Sequence, residues 1–321
     1  MNRLLSSVSL DLDNQWSYMK THGDAGWEAL PSYLSTVVPR VCDFLAARQL
    51  KITWFIVGQD AAKAGDRTVL QRLPADGHEV GNHSFHHEPW LHLYTRERIH
   101  QELADTENAI QEVMGVKPNT FRGPGFSLSP LVLDVLMERG YLLDASTFPT
   151  YLGPLARAYY FATSRGFTEK EKRERAQLFG KFADGRQPLK PYYWHGDRGQ
   201  ILEIPVTTMP IAKVPIHLSY ILYLACYSEA LALTYWTTAL RMCYHAGVEL
   251  SLLLHPLDFL GGDDVQALDF FPAMKLRGAT KMAIVARLFD RLEKFYQVIP
   301  MGDHAHAIAK RGALPKKRLA I

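Results

Sequence analysis

The sequence predicts an α/β protein built on a parallel β-sheet, which is either open or closed into a barrel. Short apolar runs bounded by glycine alternate along the chain with segments whose apolar residues recur every three or four positions. Strands that alternate with helices in this way form parallel sheets, because each helix returns the chain to the end of the sheet where the next strand starts. The chain has 321 residues, 47% of them hydrophobic, so it can bury a sizeable core.

The first strand is predicted over residues 7–13, where apolar and polar residues alternate. In a strand this alternation sends Asp11 and Asp13 to one side and the three apolar residues to the other. Two crowded carboxylates are costly unless a cation lies nearby or one of them is protonated. A loop is predicted to follow over residues 14–26.

Short apolar runs predict the remaining strands, and apolar residues three or four positions apart predict the helices. Strands are predicted over residues 52–57, 120–122, 141–144, 201–206, 249–254 and 297–300, and helices over 37–45, 69–73, 96–114, 130–138 and 279–295. The 96–114 segment has the clearest helical pattern, and Gly115 is well placed to end it. Active sites of such folds lie at the carboxyl ends of the strands. The polar residues expected there are Asp11, Asp13, Arg122, Asp144 and His255.

Two stretches interrupt the alternation. Residues 151–200 contain a charged helical pattern from Thr168 to Phe182 between aromatic clusters, which fits either a peripheral helix or a lid or docking surface beside a pocket. Residues 214–240 carry Glu229 as their only formal charge. A membrane-spanning helix needs about 20 apolar residues, but Pro215 and the acidic Glu229 favour a pair of buried or lipid-facing helices.

The segment from Gly77 to His87 contains four histidines. His83 and His87 are four residues apart, so they share a face of a helix and can also converge in a turn that enters one. His86 could replace either of them. One carboxylate oxygen and two imidazole nitrogens leave positions open for water and substrate, as in a catalytic metal site. The ligand set favours zinc, and cobalt, nickel, manganese or iron would also fit.

Net charge, cysteine content and the N-terminal residues indicate which binding partners and which cellular compartment to expect. A formal charge of +3 argues against a nucleic-acid partner, and the one dense basic run, residues 316–318, is expected to be a solvated tail, with weak attraction to anionic lipid as the alternative. Cys42, Cys226 and Cys243 are expected to be buried, reduced thiols. No secretory signal precedes the first strand, so the expected location is the cytoplasm, with peripheral contact at the inner membrane face as an option.

Several of these residues stand in motifs of one known family. The matching segments are, in chain order, Leu10 to Asp13, Ile52 to Gly58, Gly77 to His87, Phe121 to Gly125 and Leu253 to His255. With them the chain resembles the polysaccharide deacetylases with a NodB-homology domain, which are carbohydrate esterase family 4, and in particular a divergent cytoplasmic branch. Two motifs depart from the pattern: Leu12 separates the aspartates, and Asp144 is followed by Phe148 rather than by the expected tryptophan.

The resemblance implies a distorted (β/α)7 barrel with helical insertions. It implies a single polysaccharide deacetylase-like domain over residues 1–321, with insertions at about 151–200 and 214–248.

The resemblance also implies roles for the carboxylates and histidines. Asp13, His83 and His87 would hold a divalent metal ion, which polarises a carbonyl and acidifies bound water. Asp11 would be the general base, and Arg122 would pair with it and keep it ionised.

Three further residues and one backbone group would complete the implied site. His255 would be the general acid, because histidine titrates near neutral pH. The backbone N–H of Gly125 would help to stabilise the oxyanion. Gly125, Phe126 and Asp144 are expected to contact the substrate.

Three functions follow in order of preference. The first is a metal-dependent hydrolase that removes an acetyl or formyl group from an amino sugar, with a lipid-linked or nucleotide-linked sugar of a cytoplasmic glycan pathway as its substrate. The second is hydrolysis of a cyclic amide or ureide, as in metal-free relatives that resemble allantoinase. The third is a catalytically silent glycan- or membrane-binding protein on the same scaffold. It ranks lowest because Asp11 and His255 are both present.

Overall fold

The computed structural model describes residues 3–155 and 180–319. Its strands are β1 (Leu4–Asp11), β2 (Thr53–Ile56), β3 (Glu79–Asn82), β4 (Thr120–Phe121), β5 (Leu143–Asp144), β6 (Tyr192–Gly196), β7 (Gly199–Glu203), β8 (Leu250–Leu254), β9 (Tyr296–Ile299) and β10 (Lys316–Arg318). Its α-helices are α1 (Gln15–His22), α2 (Leu34–Ala46), α3 (Gly58–Ala62), α4 (Arg67–Ala75), α5 (Arg96–Met114), α6 (Pro130–Glu138), α7 (Leu218–Ala225), α8 (Glu229–His245), α9 (Gly278–Phe295) and α10 (Met301–Ala309). Most of the helix predicted over 168–182 falls outside the described residues.

Seven parallel strands form the barrel in chain order: β1, β2, β3, β4, β5, β7 and β8. The first and last of them, β1 and β8, pair with each other. The last gap in the barrel lies between β8 and the segment that follows β7. Two hydrogen bonds close it, from Thr207 N–H to the Ser251 carbonyl (3.0 Å) and from Ser251 N–H to Thr207 Oγ1 (2.8 Å). The prediction of a distorted (β/α)7 barrel is confirmed.

Three strands extend this sheet. β6 forms an antiparallel hairpin with β7, and β10 pairs in parallel with β6. β9 pairs with the first half of β1, beside β2. The sequence suggested that the basic run at residues 316–318 is a solvated tail. The structure instead places it in a strand whose position is fixed by pairing.

The alternation in β1 separates the core from the site as predicted. Val8, Leu10 and Leu12 are buried in the main hydrophobic core between the sheet and the surrounding helices. Ser9 and Asp11 face the other way, where both contact Arg122.

The helix over residues 96–114 forms with the predicted bounds. The Thr95 hydroxyl accepts the N–H of Arg98 at its start, and Gly115 ends it with a left-handed φ of 71°. Ile99, Leu103 and other apolar residues spaced at helical intervals are buried.

The loop predicted over residues 14–26 is wrong in part, because α1 occupies most of it. The side chain of Asn14 accepts the N–H of Gln15, and Gly23 ends the helix. Only Trp16 and Ser17 of α1 are buried. The helix therefore lacks the apolar repeat by which helices are recognised in a sequence.

The apolar stretch at 214–240 forms the helix pair α7 and α8. Helix α8 packs on α9, where the indole N–H of Trp236 donates to the Leu288 carbonyl at 2.9 Å. None of the helices in the described residues combines the length and apolar character that a membrane crossing requires. The three cysteines form no disulfide, with Cys42 and Cys243 buried and Cys226 half-buried.

Candidate active site

The carboxyl ends of β1 and β8 bring together two residues that are far apart in sequence. Leu10 of β1 lies opposite Leu254 of β8, and the pairing is parallel. Asp11 and His255 occupy the next position of this register, on strands that lie about 4.8 Å apart. The structure therefore places both of them at the same mouth of the barrel.

Asp13, His83 and His87 converge just beyond that mouth. The Asp13 Oδ1 atom lies 2.9 Å from His87 Nε2 and 3.3 Å from His83 Nε2. One ligand atom from each of the three residues lies within 4.8 Å of the others. The segment that carries the histidines is a turn rather than a helix, in which His87 has a φ of 51°.

The hydrogen bonding of this trio leaves its ligand atoms free for a metal ion. Asp13 Oδ1 and His87 Nε2 are buried, and neither makes a hydrogen bond, despite their short separation. Nδ1 of His83 donates to the Arg122 carbonyl at 2.6 Å, so its Nε2 lone pair points to Asp13. Buried polar atoms without partners are costly unless an ion satisfies them. The three residues fit a divalent metal.

The electrostatics of the trio agree with this geometry. Burial acts to raise the pKa of the Asp13 carboxyl, but His87 and His83 hold that pKa well below its usual range. Burial acts to lower the pKa of His83, but Asp11 and Asp13 raise it above its usual value. The two carboxylates thus make the centre attractive to positive charge.

His86 is outside the trio. Its Nδ1 lies 2.7 Å from Glu102 Oε1, and its side chain is exposed. Glu102 Oε2 also accepts the N–H groups of Phe85 and His86, each at 3.0 Å. This carboxylate therefore anchors the turn that presents His83 and His87, and no sequence motif indicated it.

Asp11 forms the ion pair with Arg122 that the resemblance implied. Arg122 Nη1 lies 2.7 Å from Asp11 Oδ1 and 2.7 Å from Ser9 Oγ, and Nε donates to the Ala145 carbonyl at 2.9 Å. The guanidinium is fully buried and stacks over Phe55 at 4.6 Å. The second carboxylate oxygen, Asp11 Oδ2, faces His83 Nε2 at 4.0 Å.

Gly125 and Phe126 lie on a tight turn after Arg122. Both have left-handed backbone conformations, with φ values of 57° and 63°. Gly125 is exposed, and the Phe126 ring stacks on Phe148 with centroids 4.7 Å apart. Both residues can therefore touch a molecule that enters the barrel mouth.

Asp144 is placed differently from Gly125 and Phe126. Its side chain is fully buried and accepts the Ser146 hydroxyl at 2.6 Å, and Ser146 Oγ accepts the N–H of Gly123 at 2.8 Å. Burial and Asp144 raise the pKa of Glu203 well above its usual range, so this carboxyl pair retains a proton. Asp144 therefore supports the turn that carries Gly125 and does not face the open mouth.

Asp258 and Ser219, which the sequence analysis did not identify, hold His255. Asp258 Oδ2 accepts the backbone N–H of His255 at 2.8 Å, and Asp258 Oδ1 accepts the Ser219 hydroxyl at 2.8 Å. Ser219 Oγ lies 3.3 Å from His255 Nδ1. The acidic residue three positions after a histidine resembles a capping pattern and could have revealed Asp258. Ser219 comes from α7 and has no such signal.

Lys281 of α9 holds the turn that follows His255 through hydrogen bonds to its backbone. Its side chain is fully buried, and its ammonium donates to the Leu257 and Leu260 carbonyls, both at 2.6 Å. Burial lowers the pKa of Lys281 to about 8. The buried Asp258 carboxylate acts in the opposite direction, raising this pKa more than any other charged group does.

Two side chains near the site, the half-buried Tyr18 and the buried His217, respond to its charges. Burial together with the carboxylates of Asp13 and Asp258 raises the pKa of Tyr18 well above its usual range. Burial together with His255 and Arg122 lowers the pKa of His217 well below its usual range. The trio, the Asp11–Arg122 pair and His255 thus surround one region.

Comparison with known proteins agrees with the fold and the motifs. Residues 23–143 match the family model described as polysaccharide deacetylase. This range contains His83, His87 and Arg122, while Asp11, Asp13 and His255 lie outside it. Over 98% of this chain and 94% of the other, the structure is similar to a solved structure from Mycobacterium smegmatis that is provisionally named a polysaccharide deacetylase, with a TM-score of 0.64 and 18% identity. That likeness shows the fold.

Three curated proteins illustrate the sequence similarity. The uncharacterized protein YlxY of Bacillus subtilis is 33% identical over 107 residues, which is 33% of this chain and 31% of YlxY. Chitin deacetylase 1 of Cryptococcus neoformans is 32% identical over 106 residues, or 33% of this chain and 22% of that protein. The peptidoglycan-N-acetylmuramic acid deacetylase PdaA of Bacillus subtilis is 30% identical over 110 residues, or 34% of this chain and 41% of that protein.

The chain thus spans between about a fifth and two fifths of the length of these relatives. The range matched by the family model, residues 23–143, carries the histidine motif and the arginine motif. The resemblance to the polysaccharide deacetylases is confirmed over residues 23–143, which match the model of that family.

Proposed function

We propose that the protein is a metal-dependent hydrolase that removes an N-acyl group, acetyl or formyl, from an amino sugar. The observation that carries this proposal is the convergence of three metal-ligand atoms, two of them buried without a hydrogen-bond partner, beside the Asp11–Arg122 pair. Curated relatives of the shared region include enzymes named for deacetylating chitin and peptidoglycan.

The metal ligands would be Asp13, His83 and His87. A divalent ion held there would polarise the acyl carbonyl and lower the pKa of a water molecule. Zinc suits two imidazoles and one carboxylate, and cobalt, nickel, manganese and iron are the alternatives to be separated by analysis.

The residues around the trio supply proton transfer. Asp11 would accept the proton of the attacking water through Oδ2, because Oδ1 is committed to Arg122. The buried guanidinium of Arg122 keeps this carboxylate ionised and oriented. His255 would donate a proton to the departing amine nitrogen, since it follows the strand next to the one that ends at Asp11.

The backbone turn at Gly125 would assist at the carbonyl oxygen. Its N–H lies three residues after Arg122, on the turn held by Asp144 through Ser146. A donor fixed in advance stabilises charge that develops in the transition state without reorganisation at the moment of reaction.

The substrate we propose is a lipid-linked or nucleotide-linked amino sugar of a glycan pathway in the cytoplasm, with peripheral contact at the inner membrane face. The support for this part is two exposed apolar side chains, Tyr227 between α7 and α8 (73% exposed) and Leu231 on α8 (52% exposed).

Two neighbouring histidines allow a matched test. We expect His87→Ala to lose both the bound metal and the hydrolysis of N-acetyl and N-formyl amino sugars. His86→Ala, whose ring contacts Glu102 instead, should keep both. Metal content is measured by elemental analysis and activity by release of acetate or formate. Equal metal content in the two variants would contradict the ligand assignment. Full activity of the metal-free protein on a cyclic amide would show that it is a cyclic-amide hydrolase instead.

A further inference from the structure

The basic run at residues 316–318 forms one wall of a cavity. In β10, Lys317 lies opposite Trp194 of β6, and Arg318 lies opposite His195. Lys317 and Arg318 both line a cavity of about 710 Å³. Lys316, the first residue of the strand, does not line it. The two positive charges are thus held at this wall by strand pairing.

This cavity adjoins the candidate active site. Its lining includes Pro89, two residues after His87, and the turn residues Gly125 and Phe126. A Cβ atom built on Gly125 would lie 3.4 Å from Pro89 Cβ, so the two loops meet at the cavity. A molecule bound in the cavity can therefore contact the Gly125 turn that is proposed to assist the reaction.

Positive charge exceeds negative charge in the lining. Lys181, Lys317 and Arg318 contribute cations, and Asp184 contributes one carboxylate. Asp184 Oδ2 already accepts the backbone N–H of Lys181 at 2.6 Å, which partly compensates its charge. Among the described residues no other ionised carboxylate lines this cavity.

Lys317 is fixed more firmly than an ordinary surface lysine. Its ammonium donates to Gln187 Oε1 and lies 5.3 Å from the Trp194 ring centroid and 5.5 Å from that of Tyr192. A lysine held over aromatic rings gains attraction from their faces and remains available to a further anionic partner.

The other walls suit the body of a sugar. Phe126, Trp194 and Tyr220 line the cavity with aromatic rings, and Thr147 and Gln187 add polar groups. Binding pockets for small molecules combine such apolar surfaces with a few placed polar groups.

We propose that this cavity binds an anionic group, a phosphate or a carboxylate, carried by the amino sugar from which the N-acyl group is removed. The inference rests on the proposed function, because it concerns the substrate of the same site. Arginine and lysine side chains bind both kinds of anion through charge-assisted hydrogen bonds, with arginine able to bind in a bidentate manner.

Calorimetric binding tests the inference without requiring turnover. The probes are N-acetylglucosamine 1-phosphate, N-acetylmuramic acid as the carboxylate, and the neutral methyl glycoside of N-acetylglucosamine. We expect one of the anionic probes to bind more tightly than the neutral one. The double variant Lys317→Gln, Arg318→Gln should weaken anion binding by about tenfold to 100-fold, since hydrogen bonds to charged groups are the strong ones. The neutral probe should bind the variant as it binds the parent protein.

Lys316→Gln is the matched control, because it removes a positive charge from the same strand outside the cavity. Lys317→Arg keeps the charge and should retain anion binding, which separates loss of charge from loss of folding. Equal affinity of the parent protein for neutral and anionic probes, or an equal loss in the Lys316→Gln variant, would overturn the inference.

The two proposals fail separately. Selective anion binding without any deacylation would contradict the proposed function but still support the assignment of the cavity as an anion site. Deacylation with equal kcat/KM on neutral and anionic sugars would confirm the reaction but contradict the assignment of the cavity as an anion site.

Discussion

The Ser219 hydroxyl donates a hydrogen bond to the Asp258 carboxylate over 2.8 Å. Because that hydrogen is committed, Ser219 Oγ can only accept from Nδ1 of His255, 3.3 Å away. Nδ1 of His255 therefore carries a hydrogen, and in the proposed reaction Nε2 is the nitrogen that exchanges a proton with the substrate. A serine on α7 and an aspartate after β8 thus decide which side of this imidazole is reactive.

Replacing Ser219 by alanine should lower kcat with little change in KM. The change removes the group that fixes the His255 ring and leaves Asp258 Oδ1 unpaired. We expect a loss of about tenfold or more, part of the ~10²–10⁴-fold that a positioned general acid supplies. Steady-state kinetics measure it. Ser219→Thr keeps the hydroxyl and should recover most of the activity, and a threonine variant as slow as the alanine variant would argue against the hydroxyl's role.

Arg122→Lys should destabilise the protein although it keeps the charge. One ammonium cannot replace the bonds of Arg122 to Asp11, Ser9 and the Ala145 carbonyl. Each buried group left without a partner costs about 1–3 kcal/mol. Urea unfolding measures the loss. Arg198→Lys, at a half-exposed ion pair, is the control and should change stability by under about 1 kcal/mol. Equal unfolding free energies for the two variants would contradict this expectation.

Asp60 should make stability fall as the pH rises towards neutrality. Its Oδ1 accepts from Asn14 and Trp16, both at 2.8 Å, while the buried Oδ2 has no partner. Burial raises the pKa of Asp60 to about 7. The folded protein therefore holds this proton more tightly than the unfolded chain does, and the associated stability is complete below the unfolded pKa and is lost as the pH rises through about 7.

Between pH 5 and 7.5 this loss amounts to about 2–3 kcal/mol in the free energy of unfolding. Asp60→Asn keeps an oxygen that can accept both hydrogen bonds and has no proton to lose. The variant should therefore show a smaller fall in stability over this interval, measured by chemical denaturation at each pH. Parallel pH dependence in parent and variant would show that other groups cause the fall.

Gly123→Ala should slow the reaction by displacing the turn that carries Gly125. The added Cβ would lie 2.2 Å from the Ser127 carbonyl oxygen, so the backbone must shift. Gly65→Ala is the control, because its Cβ would meet nothing within 4 Å. We expect kcat to fall in the first variant and metal content to stay unchanged in both. Loss of metal from the Gly123 variant would mean that the displacement extends to His83, which bonds to the Arg122 carbonyl.

The resemblance implied the barrel, and the sequence patterns predicted its parallel sheet because most of its strands are short apolar runs that alternate with helices. They failed at α1, where burial of only Trp16 and Ser17 leaves no periodic signal. They also failed at β10, because three basic residues resemble a solvated tail until a partner strand, β6, is known.

For the site, the spacing predicted a metal centre but left His86 as an alternative to either histidine, and the resemblance implied the set Asp13, His83 and His87. Asp144 shows the limit of motif reasoning. A carboxylate after a barrel strand is expected at the mouth, but the nearby Glu203 and Ser146 turn it into the interior. Contacts of this kind depend on side chains that are distant in sequence, so no local pattern reveals them.

The placement of β1 has a consequence for how the protein folds. Residues 4–7 pair with residues 296–299, and residues 6–10 pair with residues 250–254. During synthesis the strand that bears Asp11 therefore has neither edge fully paired until first β8 and then β9 have been made. Contacts between segments so far apart in sequence form late and slow the search for the native state. We expect hydrogen exchange during refolding to protect β3 before β1, so the histidines would be in place before the carboxylates that complete their site.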